Sequence, residues 1–274
     1  MMIGHQDALS YGIIWKKGED RSDLKDLTGS HPAVFGWDIG AIELGSPANL
    51  DSVPFNEMRK NIIQVYLDGG INTISWHAYN PVTGKSSWVE DKKNSNGIVA
   101  KILPGGSHHE EFKKQLDKVA DFMKSLKAPD GSLAPVIFRP WHENSGNWFW
   151  WGAIHCSVEE YKALYRFTVD YLRNTHHLHN LLFAYSPDVG LKDDAGYLER
   201  YPGDDLVDFI GLDDYHSLNT GQPKQLISNL EVIAQIANDH NKIAAFTETG
   251  CNRIEQKDYF THVLLPCLDH SELT

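Results

Sequence analysis

Glu143 and Glu248 are the residues of this chain best suited by type and setting to do chemistry together. Each directly follows an apolar run: Glu143 in Arg139-Pro140-Trp141-His142-Glu143-Asn144, and Glu248 in Thr247-Glu248-Thr249-Gly250. Two carboxyl groups can divide acid and base roles, one ionised and attacking while the other, protonated, donates to a departing oxygen. At about 5–5.5 Å such a pair suits direct attack on an anomeric carbon, whereas a wider gap leaves room for water. Spacing along the chain does not measure that gap. Either glutamate alone could instead be structural, paired for example with Arg139.

The stretch 141–152 contains Trp141, Trp148, Trp150 and Trp151, half of the 8 tryptophans. Aromatic rings just past a catalytic strand suit stacking on the apolar faces of sugar rings, although one of Trp150 and Trp151 is expected to pack beneath the loop. Two further apolar runs end in polar clusters, Ser75-Trp76-His77 and Asp213-Asp214-Tyr215-His216. Other motifs carry little. His176-His177-Leu178-His179 has no Cys or carboxylate at ligand spacing. Asp193-Asp194 and Asp204-Asp205 lack the alternating acidic loop of a calcium site, and Pro104-Gly105-Gly106 lacks the lysine of a phosphate loop. The expectation is therefore no metal and no organic cofactor.

These residues need a scaffold that gathers distant segments. Short apolar or β-branched runs alternate with helical segments, the pattern of repeated β-α units around a parallel sheet. Seven strands are expected, at residues 8–14, 33–39, 72–77, 135–140, 181–186, 208–212 and 243–247. Between them, helices are expected at 54–67, 109–126, from Ser157 through Leu172, at 225–240 and at 259–268. In 109–126, Phe112, Leu116, Val119, Met123 and Leu126 recur every three or four positions, so one face is apolar. Ser157 and Glu160 have the spacing of a capping box. In a parallel barrel the C-terminal strand ends meet at one face, where catalytic residues collect.

The 274 residues read as a single α/β domain over 1–274. With Lys+Arg 25 against Asp+Glu 37, the net charge of −12 repels nucleic acid, and no apolar run reaches the length of a membrane span. Three cysteines are too few for a disulfide scaffold. The start Met1-Met2-Ile3-Gly4 has no signal-peptide character, so the expectation is a cytoplasmic chain or one whose export signal lies outside it.

The run Arg139-Pro140-Trp141-His142-Glu143-Asn144-Ser145-Gly146-Asn147-Trp148-Phe149-Trp150-Trp151-Gly152 resembles the acid/base signature of glycoside hydrolase family 26, whose best-known members are β-mannanases. The likeness extends through Gly4-His5-Gln6-Asp7, Gly36-Trp37-Asp38, Ser75-Trp76-His77, Gly211-Leu212-Asp213-Asp214-Tyr215 and Thr247-Glu248-Thr249-Gly250. The resemblance implies a (β/α)8 TIM-barrel type fold, with Glu143 as acid/base and Glu248 as nucleophile. His77, His142, Trp148, Tyr215 and Trp88 become substrate-binding candidates. The implied partner is β-mannan or a related β-glycan such as mixed-linkage glucan or β-1,3-xylan; a carbohydrate-binding protein without turnover is the other reading. The family's usual setting is periplasmic or extracellular. No Trp follows Trp151, so the family's eighth strand, which ends in Trp-Arg, is expected to be missing together with its helix, and the domain to be truncated at the C-terminus. The long connection 80–106 leaves the catalytic face after His77, and its Gly, Ser and Lys content argues against burial. A loop there could wall off one end of a cleft and restrict products to short ones such as mannobiose.

Overall fold

The computed structural model describes residues 1–16, 20–89, 97–189, 193–251 and 256–269. Seven strands form one sheet in sequence order: β1 (Gly4–Gln6), β2 (Val34–Asp38), β3 (Ile71–Trp76), β4 (Val136–Pro140), β5 (Leu181–Tyr185), β6 (Phe209–Asp213) and β7 (Ile243–Glu248). Every neighbouring pair is parallel. Helices lie between the strands, and the sheet curls into a half-barrel of the TIM type. Among the described residues no eighth strand follows β7, and β1 and β7 are not paired with one another.

Six strands fall where the apolar runs predict them. The first does not. It lies at Gly4–Gln6, and the expected 8–14 segment is a turn followed by a tight loop. Gly4 packs so closely that a Cβ there would sit 3.3 Å from the Cβ of Val34, which explains a glycine in so short a strand. The ladder continues through Asp7 N to Gly36 O, after which Ser10 N turns back to Asp7 O. Asp23 then fixes the loop by accepting from Ile13 N and Trp15 Nε1, leaving Ile13 and Ile14 78% and 85% exposed. Their apolar character therefore does not mark a strand.

The helix His109–Lys124 buries Phe112, Leu116, Val119 and Met123 in the core that also contains Ile74, Phe138 and Phe183 of the strands. Val158–Asp170 opens with the predicted capping box: Ser157 Oγ accepts from Glu160 N, and the Glu160 carboxylate accepts from Ser157 N. Phe55–Leu67 has Pro54 as its N-cap, and the last long helix runs Pro223–Asp239 with its proline in the first turn. Residues 259–268 begin as a π-turn, Tyr259–Leu264, before Leu265–Asp269. The connection 80–106 is not wholly open as its composition suggests. Ile98–Ile102 forms a short helix that buries Ile98, Val99 and Ile102 on one side, an apolar i, i+1, i+4 pattern hidden among Gly, Ser and Lys. Residues 90–96 of that connection and the terminal Leu273-Thr274 lie outside the described residues.

Candidate active site

Glu143 stands three residues beyond the end of β4, where the backbone is forced into an uncommon path. Trp141 and Glu143 both have positive φ, 55° and 53°, a left-handed conformation that costs energy for residues with a side chain. The turn is pinned on several sides. Glu143 N donates to Ser186 O at 2.7 Å, Trp151 Nε1 to His142 O at 2.8 Å, and Tyr161 OH to Trp141 O at 2.9 Å. Trp141, Trp150 and Trp151 are all buried and meet edge-on at 5.1–5.4 Å. The expectation that one of Trp150 and Trp151 packs beneath the loop is thus too narrow, since both do. Three of the four clustered tryptophans are scaffold, and Trp148 is the one that turns toward the carboxylates, with Nε1 donating to Glu143 Oε2 at 2.6 Å.

Glu248 ends β7 across the mouth. One oxygen accepts from Arg139 Nη2, and the other accepts from Tyr215 OH at 3.0 Å. Arg139 also donates through Nη1 to Asp213 at 2.7 Å and to Ser186 Oγ at 3.0 Å, while Thr247 Oγ1 donates to Asp213 at 2.6 Å. Arg139, the structural partner that sequence reasoning offered to either glutamate, pairs with Glu248. Burial alone would lower the Arg139 pKa, but Asp213 and Glu248 outweigh it and raise it, so the guanidinium is a fixed positive charge. Burial, then the neighbouring Glu248, push the Glu143 carboxyl above its ordinary value, against the Trp148 hydrogen bond.

Single oxygens of Glu143, Asp213 and Glu248 lie within 4.8 Å of one another. That set is the grouping among the described residues with the spacing to hold a cation, but Arg139 already supplies positive charge to two of its members.

The remaining predicted residues lie around this centre at different depths. His77 Nδ1 meets Asp38 at 2.7 Å, and its Nε2 lies 3.2 Å from His142 Nε2. His142 is fully buried, beneath the cleft surface and not on it. Trp88 is exposed, with Phe149 edge-on at 5.2 Å; Val89 N donates to Trp148 O, and Trp150 N to Ser87 O, so the loop after β3 is sewn to the loop after β4. Sequence reasoning assigned no role to Asp38, Asp213 or Ser186. Asp38 and Asp213 are the last residues of β2 and β6, and Ser186 directly follows β5, positions that could have flagged them.

The sequence profile described as glycosyl hydrolase family 26 matches residues 1–261. A mannan endo-1,4-β-mannosidase of Bifidobacterium adolescentis is 39% identical over 260 residues, covering 91% of this chain and 25% of that protein. A Bacillus subtilis mannan endo-1,4-β-mannosidase is 32% identical, with 84% of this chain and 61% of that protein covered. The chain therefore spans between a quarter and about three-fifths of these relatives' lengths. Among solved structures, a family 26 β-mannanase from Bacteroides ovatus superposes with a TM-score of 0.95 at 43% identity, covering all of this chain and 78% of that one. A modular endo-β-1,4-mannanase from Cellulomonas fimi gives 0.80 at 41% identity, covering 91% and 56%.

Proposed function

The chain belongs to glycosyl hydrolase family 26, and on that premise we propose that it hydrolyses β-1,4-mannosidic bonds with retention of anomeric configuration. The observation that carries the mechanism is the approach of Glu143 and Glu248 oxygens to within 4.8 Å. Inverting pairs stand about 6.5–9.5 Å apart to admit a water, and retaining pairs about 5–5.5 Å. The substrate class rests on the relatives, which are named as mannosidases acting on mannan.

In the first displacement Glu248 attacks the anomeric carbon while Glu143 donates its proton to the departing glycosidic oxygen. Arg139 and Tyr215 hold the two Glu248 oxygens and so fix its line of attack. Glu143 is suited to the acid role because burial and the adjacent carboxylate favour its protonated form. Once Glu248 is esterified its charge is gone, the repulsion on Glu143 relaxes, and Glu143 can take a proton from the water that releases the sugar.

Reducing-sugar release from galactomannan, glucomannan, lichenan and xylan, with NMR of the first-formed anomer, tests the reading. Turnover of both mannans giving the β-anomer first is expected. Turnover confined to lichenan or xylan would move the enzyme to another β-glycan, and binding without turnover would make it a carbohydrate-binding protein. Product length is read in the same assay: a disaccharide-dominated pattern is expected if the loop sewn through residues 87–89 closes one end of the cleft, and a broad ladder if it does not.

Trp148 gives a sharper check. Trp148→Phe keeps a ring but removes the donor to Glu143, so the Glu143 pKa should rise further and the alkaline limb of kcat/KM should move to higher pH. Trp148→Ala should also lose ring contact with sugar, costing on the order of 1 kcal/mol or more. Unchanged kinetics with a lowered Tm would assign the ring to packing alone.

A further inference from the structure

Behind the two catalytic glutamates lies a chain of three side chains that the mechanism above does not use. Asp38 ends β2 and is buried, yet four donors converge on its carboxylate. Gly40 N reaches Oδ1 at 2.7 Å, while Ser75 Oγ at 2.7 Å, His77 N at 3.3 Å and His77 Nδ1 at 2.7 Å reach Oδ2. A carboxylate is an acceptor only, so the His77 nitrogen facing it bears the proton. The far side of the His77 ring then meets His142, Nε2 to Nε2 at 3.2 Å, with the rings edge-on at 4.5 Å between centroids. His142 Nδ1 is buried without a protein partner.

We propose that Asp38 is a positioning residue of this enzyme: it fixes the ring of His77 through Nδ1, and through His77 Nε2 sets the proton position of His142, so that the three act as one unit beside Glu143 and Glu248. Asp38 cannot touch substrate from its buried position, and it acts only through His77. This rests on the hydrolase reading for its consequence, though not for its geometry.

The proton count gives the unit two states. One proton lies between the two Nε2 atoms. When His77 is an imidazolium it donates that proton, His142 carries its own on Nδ1, and the buried Asp38 charge is compensated. When His77 is neutral, His142 donates from Nε2 and its Nδ1 becomes an acceptor. The groups facing His77 are Asp38 from β2, Asp51 beyond it, Arg139 from β4, His142 and Glu143 after β4, and Glu248 from β7. Burial would lower the His77 pKa, but Asp38 and then Glu248 outweigh it, and the net shift is upward. Burial, His77 and Arg139 together hold His142 well below its ordinary value, so it is the neutral partner. The cationic state of His77 therefore persists above pH 6.5 and places positive charge beside both carboxylates.

Nitrogen NMR of histidine-labelled protein tests this directly, with His77→Gln to assign the ring. In the wild type His77 should remain an imidazolium above pH 6.5, with His142 neutral throughout and its proton changing nitrogen as His77 titrates. In Asp38→Asn the His77 titration should fall by one pH unit or more. On soluble mannan, Asp38→Asn should lose at least tenfold in kcat with KM changed less, and the Asp38→Asn/His77→Gln double variant should be no slower than His77→Gln alone. Titration of wild-type His77 at or below 6.5 overturns the proposal, and needs no variant to fold. An unmoved His77 titration in Asp38→Asn, or multiplicative losses in the double variant, also overturns it. Failure of the hydrolase reading would look different: no turnover by the wild type, with the ring titrations as described.

Discussion

Glu248→Ala is expected to lose on the order of 10^4-fold or more in kcat, the scale on which removal of a covalent nucleophile acts. The fold should survive, because the Glu248 side chain projects into the mouth and is partly exposed. Arg139 keeps its 2.7 Å pair with Asp213 when Glu248 is truncated, so no buried charge is left alone. The cavity left behind lies beside the guanidinium and the Tyr215 hydroxyl, both donors, and should accept azide. Azide can then attack the anomeric carbon from the face Glu248 used, and Glu143 can still protonate the leaving group. Partial rescue is expected, giving a glycosyl azide of inverted configuration. Glu143→Ala should fail differently: substrates with good leaving groups, which need little protonation, should retain the first displacement and accumulate the intermediate. A Glu248→Ala enzyme with more than about a hundredth of wild-type activity would remove the nucleophile role.

Much of this centre was legible because a barrel strand writes its chemistry at one end. The runs ending in His77, Glu143 and Glu248 carry β-branched and aromatic residues and then change abruptly to polar ones, and six of seven strands follow that rule. The first strand escaped it. Three residues containing a glycine have no periodicity to read, and the nearby Ile13 and Ile14 are held in the open by Asp23, a tertiary tie that overrides local propensity. Asp38 and Asp213 were visible as letters at strand ends but not as roles, since their meaning is in partners 39 and 74 residues away. Tryptophan content misled in the opposite direction. Trp141, Trp150 and Trp151 have the same composition signal as Trp148, and only the left-handed turn at Trp141 and Glu143 decides which ring faces the carboxylates.

Arg139→Ala is expected to damage stability and activity together, which separates it from the glutamate variants. The guanidinium is buried, bonded to Asp213, Glu248 and Ser186 at once. Its removal strands the fully buried Asp213 carboxylate with Thr247 as its remaining side-chain donor. Breaking a buried pair from one side costs about 3–5 kcal/mol, because the surviving charge stays in a low dielectric. For a domain of this size that corresponds to a fall in Tm on the order of 10 °C. Arg139→Lys keeps one charge but not the fork that reaches Asp213 and Glu248 through separate nitrogens, so it should recover part of the Tm and little of the rate. Without the fork, Glu248 is held by Tyr215 alone and can turn away from the anomeric carbon, and a loss of at least 10^3-fold in kcat is expected. Calorimetry and mannan kinetics on the same preparations check both halves. A Tm within about 2 °C of the wild type for Arg139→Ala would mean that Asp213 takes up a proton in place of its partner. Full activity in Arg139→Lys would mean that Glu248 needs only a nearby positive charge and not a fixed direction of attack.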